Sequence, residues 1–267
     1  MRKNYIPGRI LLGLVFVFLF APIIVMIAFS FNGSKNRAVW TGFTFDWYVK
    51  LFQNDLILSS LYITLLVSVI AAVVSTVIGT AAAIGFNAMK RRPRRFFMTV
   101  NNIPVVNPDI ITGVSLMLLF VFARAFTNIE LGFFTLLAAH ITFDVPYVIL
   151  AVMPKLRSLN KHLFEAALDL GATPFKAFRQ VILPEIMPGV ISGALLAFTL
   201  SVDDFVISYF TAGSKVQTLP MTIYAMTRKH VSPEINAVST LLFMTVLLLL
   251  VIINVLQSRD IKRRAKH

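Results

Sequence analysis

Four aspartates, Asp109, Asp144, Asp203 and Asp204, lie inside stretches that are otherwise long and apolar enough to cross a bilayer. A carboxylate at the centre of a membrane helix costs about 2.5–3.5 kcal/mol on insertion scales, so four of them point to surroundings of protein or water. A passage lined with negative charge suits a positively charged cargo, and Ser201 adds a hydrogen-bonding group on the helix of Asp203 and Asp204. The same residues also fit two other roles. An acid can cap a broken helix or bond across a bundle, and spaced acids can relay protons in a secondary carrier.

The rest of the chain must position these acids. Of its 267 residues, 57% are hydrophobic and 14% charged, against about 25% charged in a typical soluble protein. No polar stretch is long enough to bury a core of its own, which predicts an all-α membrane protein with one transmembrane domain over residues 1–267. Apolar runs predict six crossings at about 10–31, 56–89, 97–126, 131–153, 187–211 and 235–257. The N-terminus resembles a signal peptide, with Ala28-Phe29-Ser30 as a weak cleavage site, but the run from Ile10 to Phe31 is too long for a normal signal core and reads as a retained span. Ser232, Pro233 and Glu234 make a good start for the sixth helix.

Lysine and arginine set the direction. Eighteen of the 25 fall at the termini and in the loops around 90–95 and 155–179; seven fall on the other side. The positive-inside rule then places both termini in the cytoplasm. The net charge of +13 does not indicate nucleic acid, because the basic residues flank apolar spans. The run from Lys90 to Arg95 reads as a cytoplasmic turn in contact with lipid phosphate. There are no cysteines, which excludes disulfides, thiolate metal sites and cysteine nucleophiles. His140, His162, His230 and His267 are scattered and read as surface or packing residues.

At about 1.5 Å per residue, Asp109 lies roughly 18 Å into the third span, after Pro104 and Pro108, whose rings break the backbone ladder. Asp144 precedes Pro146 near the middle of the fourth span, and Asp203 and Asp204 lie roughly 24 Å along the fifth. Adjacent helical residues point about 100° apart, so one of that pair can face a path while the other bonds a neighbour. The only tryptophans, Trp40 and Trp47, sit near Phe43, Phe45 and Tyr48 in the first external loop. They suit an interfacial belt, or, for Trp47, a cation–π contact at the mouth of a path.

The loop at 154–188 is the most patterned segment. Leu159, Leu163, Ala166, Ala167 and Leu170 fall on one face of a helix, and Gly171 stops it. Thr173 then caps a second short helix with Pro174 at its first position; Phe175, Phe178 and Ile182 line one face, Pro184 ends it and Pro188 opens the fifth span. On spacing alone this is either an amphipathic connector lying on lipid or a docking elbow.

The residues Glu165-Ala166-Ala167, with Gly171 after three intervening positions and Ile182-Leu183-Pro184 beyond, resemble the EAA motif of ABC importer permeases. The ending lacks one spacer residue of the family pattern. The resemblance implies a type I importer permease (MetI-like) fold in a bacterial inner membrane. It also implies that the elbow docks in a cleft of an ATP-binding subunit, with Glu165, Ala166, Ala167 and Gly171 as coupling contacts. The phrases Phe198–Asp204, Asn107–Ile110, His140–Phe143, Leu219–Met221 with Ile223-Tyr224, and Pro233–Ala237 are similar to those of spermidine/putrescine importer permeases. A polyamine carries ammonium groups on an apolar tether, to which spaced carboxylates are the complement.

The partners implied are a pair of ATP-binding subunits, a second permease subunit and a periplasmic polyamine-binding protein, the last meeting the external segment 212–230. ATP and Mg would belong to the partner, since this chain has no phosphate-cradling glycine loop and no cofactor or metal site of its own. Rival expectations are a permease for another small solute, an ion-coupled secondary carrier and a membrane scaffold.

Overall fold

A computed structural model of the chain describes residues 6–34, 39–160, 162–229 and 234–264. Among them the regular elements are helices, with one isolated antiparallel bridge between Asn32 and Phe43. In chain order the helices are α1 (Ile6–Ser30), α2 (Asp46–Phe52), α3 (Asp55–Ala88), α4 (Arg91–Val106), α5 (Asp109–Thr127), α6 (Phe133–Ser158), α7 (His162–Asp169), α8 (Pro174–Ala177), α9 (Leu183–Asp203), α10 (Val206–Thr211), α11 (Leu219–Lys229) and α12 (Glu234–Arg264). A π-helical turn, Phe178–Ile182, joins α8 to α9.

Among the described residues, five helical stretches are long and apolar enough to cross a membrane: Arg9–Ser30, Asp55–Ala88, Asp109–Thr127, Phe133–Ser158 and Pro174–Asp203. In α12 the described apolar stretch is shorter, Glu234–Leu248. The predicted cap at Ser232 and Pro233 lies outside the described residues, as do Arg2, Lys3, Lys35, Arg37, Lys161, Lys266, His230 and His267.

The helices form two compact units. The first holds residues 1–58 and 223–267, where α12 packs against α1 and α2. The membrane-length stretch of α1 buries none of its apolar residues within the chain, as expected of a helix that faces lipid or a neighbouring subunit. Its end is pinned: Ser30 Oγ and Tyr48 OH share a hydrogen bond of 2.7 Å, and the Asn32 side chain bonds Val39 O at 2.8 Å and Thr41 N at 3.0 Å. Phe31 stacks on Phe43 with ring centroids 5.0 Å apart.

The second unit, residues 59–222, is built around α6. More than half of the span-length window of α6 is buried, and its main partner is α9. The two approach closely because α9 presents Gly189, Gly193 and Ala197 at four-residue spacing, a small-residue stripe of the kind that lets membrane helices touch. A Cβ added at Gly193 would lie 3.2 Å from Val148 Cγ1 and 3.3 Å from Val148 Cα. Val148, Ile149, Val152 and Met153 of α6 fill the core with Ile186 and Ala197 of α9.

Two predicted spans are interrupted. The crossing expected over 97–126 is two helices, since Asn107 (ψ 144°) and Pro108 (ψ 138°) are extended between α4 and α5. Proline disfavours a helical residue before it, so Asn107 leaves the helix. Asp109 therefore begins α5 rather than sitting deep within one continuous span. The stretch expected over 187–211 likewise breaks at Asp204 (ψ 122°), between α9 and α10. Pro184 does the opposite of what its sequence position suggests: it lies in the first turn of α9, and Pro174–Asp203 runs on as one 30-residue helical stretch. The wider π-helical turn just before Pro184 relaxes the ring's clash with the preceding turn.

Candidate functional site

Every aspartate singled out from the sequence lies in the second unit, and the two helix breaks decide what each one does. Asp204 is spent on backbone. Its Oδ1 accepts from Ile207 N at 3.1 Å and its Oδ2 from Ser208 N at 2.7 Å, which caps the otherwise open first turn of α10. Asp203, one residue earlier, ends α9 with its side chain exposed. Asp109 is exposed in the first turn of α5, where the positive end of the helix dipole favours a carboxylate. Asp203 interacts electrostatically with both Asp109 and Asp204, so the acids of α5 and of the α9–α10 break form one electronegative patch. No lysine or arginine pairs with Asp109 or Asp203 among the described residues.

Asp144 takes a different place. It is fully buried, and Ser201 Oγ donates to its Oδ2 at 2.8 Å while Oδ1 has no partner. His140, one turn earlier on the same face of α6, is 2% exposed. Its Nδ1 lies 3.1 Å from Ser201 Oγ, its Nε2 3.1 Å from Ser208 Oγ and 3.6 Å from Asp204 Oδ2. With the Ser201 proton directed to Asp144, Nδ1–H donates to Ser201, and a neutral ring accepts from the Ser208 hydroxyl at Nε2. This buried network joins α6, the end of α9 and the start of α10 on either side of Asp203 in the chain.

The expectation that Asp144, Ser201 and Asp204 line a path alongside Asp109 and Asp203 thus meets a division of labour. Two carboxylates face outward, and the other three groups hold the break that presents one of them. The physical reason is that interrupted backbone exposes N–H groups, and the nearest acid satisfies them. His140, read from the sequence as surface or packing, is the hub of the network. Its signal was present as His140 and Asp144 at i and i+4 in an apolar span, two polar groups that can stay buried there by finding each other's partners.

Trp47, in the first unit, is 4% exposed; its Nε1 donates to Asn32 O at 2.7 Å, and Lys50 Nζ already lies 4.6 Å from the ring centroid. The ring anchors the loop after α1 and presents little surface to a cargo.

The elbow follows α6. Asn160 Oδ1 accepts from His162 N at 3.1 Å, so α7 starts at His162 and Leu159, expected on its face, stays extended. Gly171 adopts φ +85°, a conformation that L side chains rarely take, and lets the chain reverse into Thr173. Thr173 Oγ1 accepts from Lys176 N at 3.4 Å, with Pro174 at the first position of α8. Leu170 is 89% and Phe175 73% exposed, with Leu163, Glu165 and Ala166 also on the surface. Glu165 Oε2 meets His162 Nδ1 at 3.3 Å, and both are solvated. The elbow therefore offers small and apolar residues around the carboxylates of Glu165 and Asp169 at a tight turn.

The family described as "Binding-protein-dependent transport system inner membrane component" matches residues 75–263. The putrescine transport system permease protein PotI of Escherichia coli is 43% identical over 240 residues, 88% of this chain and 85% of that protein. The spermidine/putrescine transport system permease protein PotC of the same organism is 38% identical over 257 residues, 95% of this chain and 96% of that protein. Its counterpart in Haemophilus influenzae is 35% identical, covering 95% of each. Among solved structures, a chain of a bacterial ABC transporter that imports alginate superposes with a TM-score of 0.71 at 16% identity, covering 96% of each chain. A chain of the MetNI methionine ABC transporter superposes at 0.60 and 19% identity, covering 78% of this chain and 95% of that one. These structural likenesses concern the fold.

Proposed function

The chain belongs to the family of binding-protein-dependent transport inner membrane components, and from that premise we propose that it is the permease subunit through which an ATP-driven importer moves spermidine or putrescine into the cytoplasm. One observation carries the cargo assignment. Asp109 and Asp203 stand exposed and, among the described residues, without a basic partner at the ends of two span-length helices, close enough to interact with each other. Two carboxylates so placed repel until a polycation lies between them, and ammonium groups on an apolar tether meet that need. The names of the relatives at 35–43% identity, polyamine permeases, support the same cargo.

In this reading both termini are cytoplasmic, and the α7–α8 elbow docks on an ATP-binding subunit through Glu165, Ala166, Ala167 and Gly171. A second permease subunit completes the path, and a periplasmic polyamine-binding protein delivers cargo to the opposite face. The partner hydrolyses the ATP. The test is uptake of radiolabelled spermidine and putrescine by vesicles carrying the whole complex. Asp109→Asn with Asp203→Asn is expected to lower uptake at least about tenfold, the effect of about 1.4 kcal/mol of lost cargo stabilisation. Undiminished uptake would remove the acidic path.

A further inference from the structure

We propose that the ends of α3, α4 and α6 beside the elbow form a binding site for an anionic phospholipid, with arginines from two helices on its phosphate and an apolar cavity for its chain. A cleft of about 400 Å³ is lined by Arg91, Arg94 and Arg95 of α4 and by Arg157 of α6, with Thr99 and Asn102 beside them. A second cavity of about 590 Å³ shares Arg94 and Arg157 and continues over Ile84, Leu156, Phe178 and Ile182. No carboxylate lines either cavity. None of the four arginines makes an ion pair among the described residues. Four guanidinium groups around one cleft repel one another, and an anion offsets that repulsion. The planar forks match a phosphate in geometry.

The setting selects among phosphate-bearing ligands. On α4, Phe96, Val100 and Ile103 form an exposed apolar stripe at i, i+4 and i+7, beginning directly after the arginines. That stripe belongs in hydrocarbon, which puts the arginines at the level of the lipid phosphates. A free phosphate would use the polar cleft alone, whereas the adjoining cavity gives an acyl chain a place. Arg92 lies in the same basic run yet lines neither cavity, so the site is narrower than a general polybasic attraction. Because Phe164 of α7 and Phe178 of the π-helical turn also line the larger cavity, an occupant bears directly on the elbow. The assignment of the leaflet rests on the proposed orientation; the binding itself does not.

The experiment is native mass spectrometry of the purified importer complex offered mixed micelles of phosphatidylglycerol and phosphatidylethanolamine, with and without inorganic phosphate. Phosphatidylglycerol is expected to be retained preferentially and to resist millimolar phosphate. Arg94→Gln with Arg157→Gln should reduce retention about tenfold or more, while Arg92→Gln leaves it unchanged. Equal loss on Arg92→Gln, unchanged retention in the double variant, or displacement by inorganic phosphate would overturn the site. So would retention seen only after the ATP-binding subunit is stripped off, because that partner would then fill the cleft. Should the double variant not assemble, the exposed Arg95→Gln serves: a several-fold loss supports the site and no change overturns it. Since retention is read without transport, its failure is distinct from failure of the polyamine reading.

Discussion

Asp203 and Asp204 are neighbours in sequence with different tasks. One faces outward at the end of α9, and the other closes the first turn of α10 from below. Substitution separates them. Asp203→Asn is expected to lower uptake while leaving the complex intact. Asp204→Ala removes a cap worth about 0.5–2 kcal/mol and leaves the buried His140 beside a vacated site, so it should lower thermal stability and yield as well as uptake. Asp204→Asn, which keeps an acceptor for one of the two N–H groups, should fall between. Melting of the purified complex checks the order; equal stability of all three variants would refute the cap. His140→Phe keeps a ring but leaves Ser201 with Asp144 alone and takes the imidazole partner from Ser208, so it should destabilise the break without touching the exposed acids.

At the scale of elements, the elbow is one short helix attached to a long one. Pro174–Asp203 is a continuous helical stretch, so a push on α8 reaches Asp203 and the acidic break through 30 residues without an intervening loop. The π-helical turn at Phe178–Ile182 is the place where that lever can change pitch. Gly171 is its other joint. An added Cβ there would meet no atom within 4 Å, so any cost of substitution comes from the backbone alone. Gly171→Val should cost about 1–2 kcal/mol and weaken capture of the ATP-binding subunit, while Gly171→Asn, which tolerates the left-handed region, should cost less. Glu165→Lys should weaken capture without loss of stability. Pull-down with the ATP-binding subunit checks both; unchanged capture would sever the elbow from coupling. Gly193→Leu tests the α6–α9 contact, where overpacking should cost about 1–3 kcal/mol and lower the yield of folded complex.

At the scale of the molecule, the membrane-length stretches of α1 and α5 bury almost no residue fully within the chain, and each leaves apolar faces exposed. Those faces need lipid or a second subunit. The exposure of Asp109 and Asp203 likewise fits a passage completed by another permease. Vesicles carrying this chain alone are therefore expected to show no polyamine uptake, and uptake should return only with the sister permease, the ATP-binding subunit and the binding protein together. ATP-independent uptake by the chain alone would instead favour a secondary carrier.

The sequence by itself carried the membrane class, the helical fold and the elbow, because each rests on local chemistry: apolar run length, the proline and glycine at Pro174 and Gly171, and the spacing of Glu165, Ala166 and Ala167. It also marked the acids, since a carboxylate in an apolar run is legible from composition alone. Only the tertiary structure sorted them. Whether Asp204 faces a cargo or caps α10 depends on where α9 breaks and on His140 arriving from α6, 64 positions earlier in the chain. Burial of Asp144 and Trp47 depends in the same way on groups distant in sequence, Ser201 and Asn32. Patterns along a chain report which groups must find partners, and packing between helices decides which partners they find.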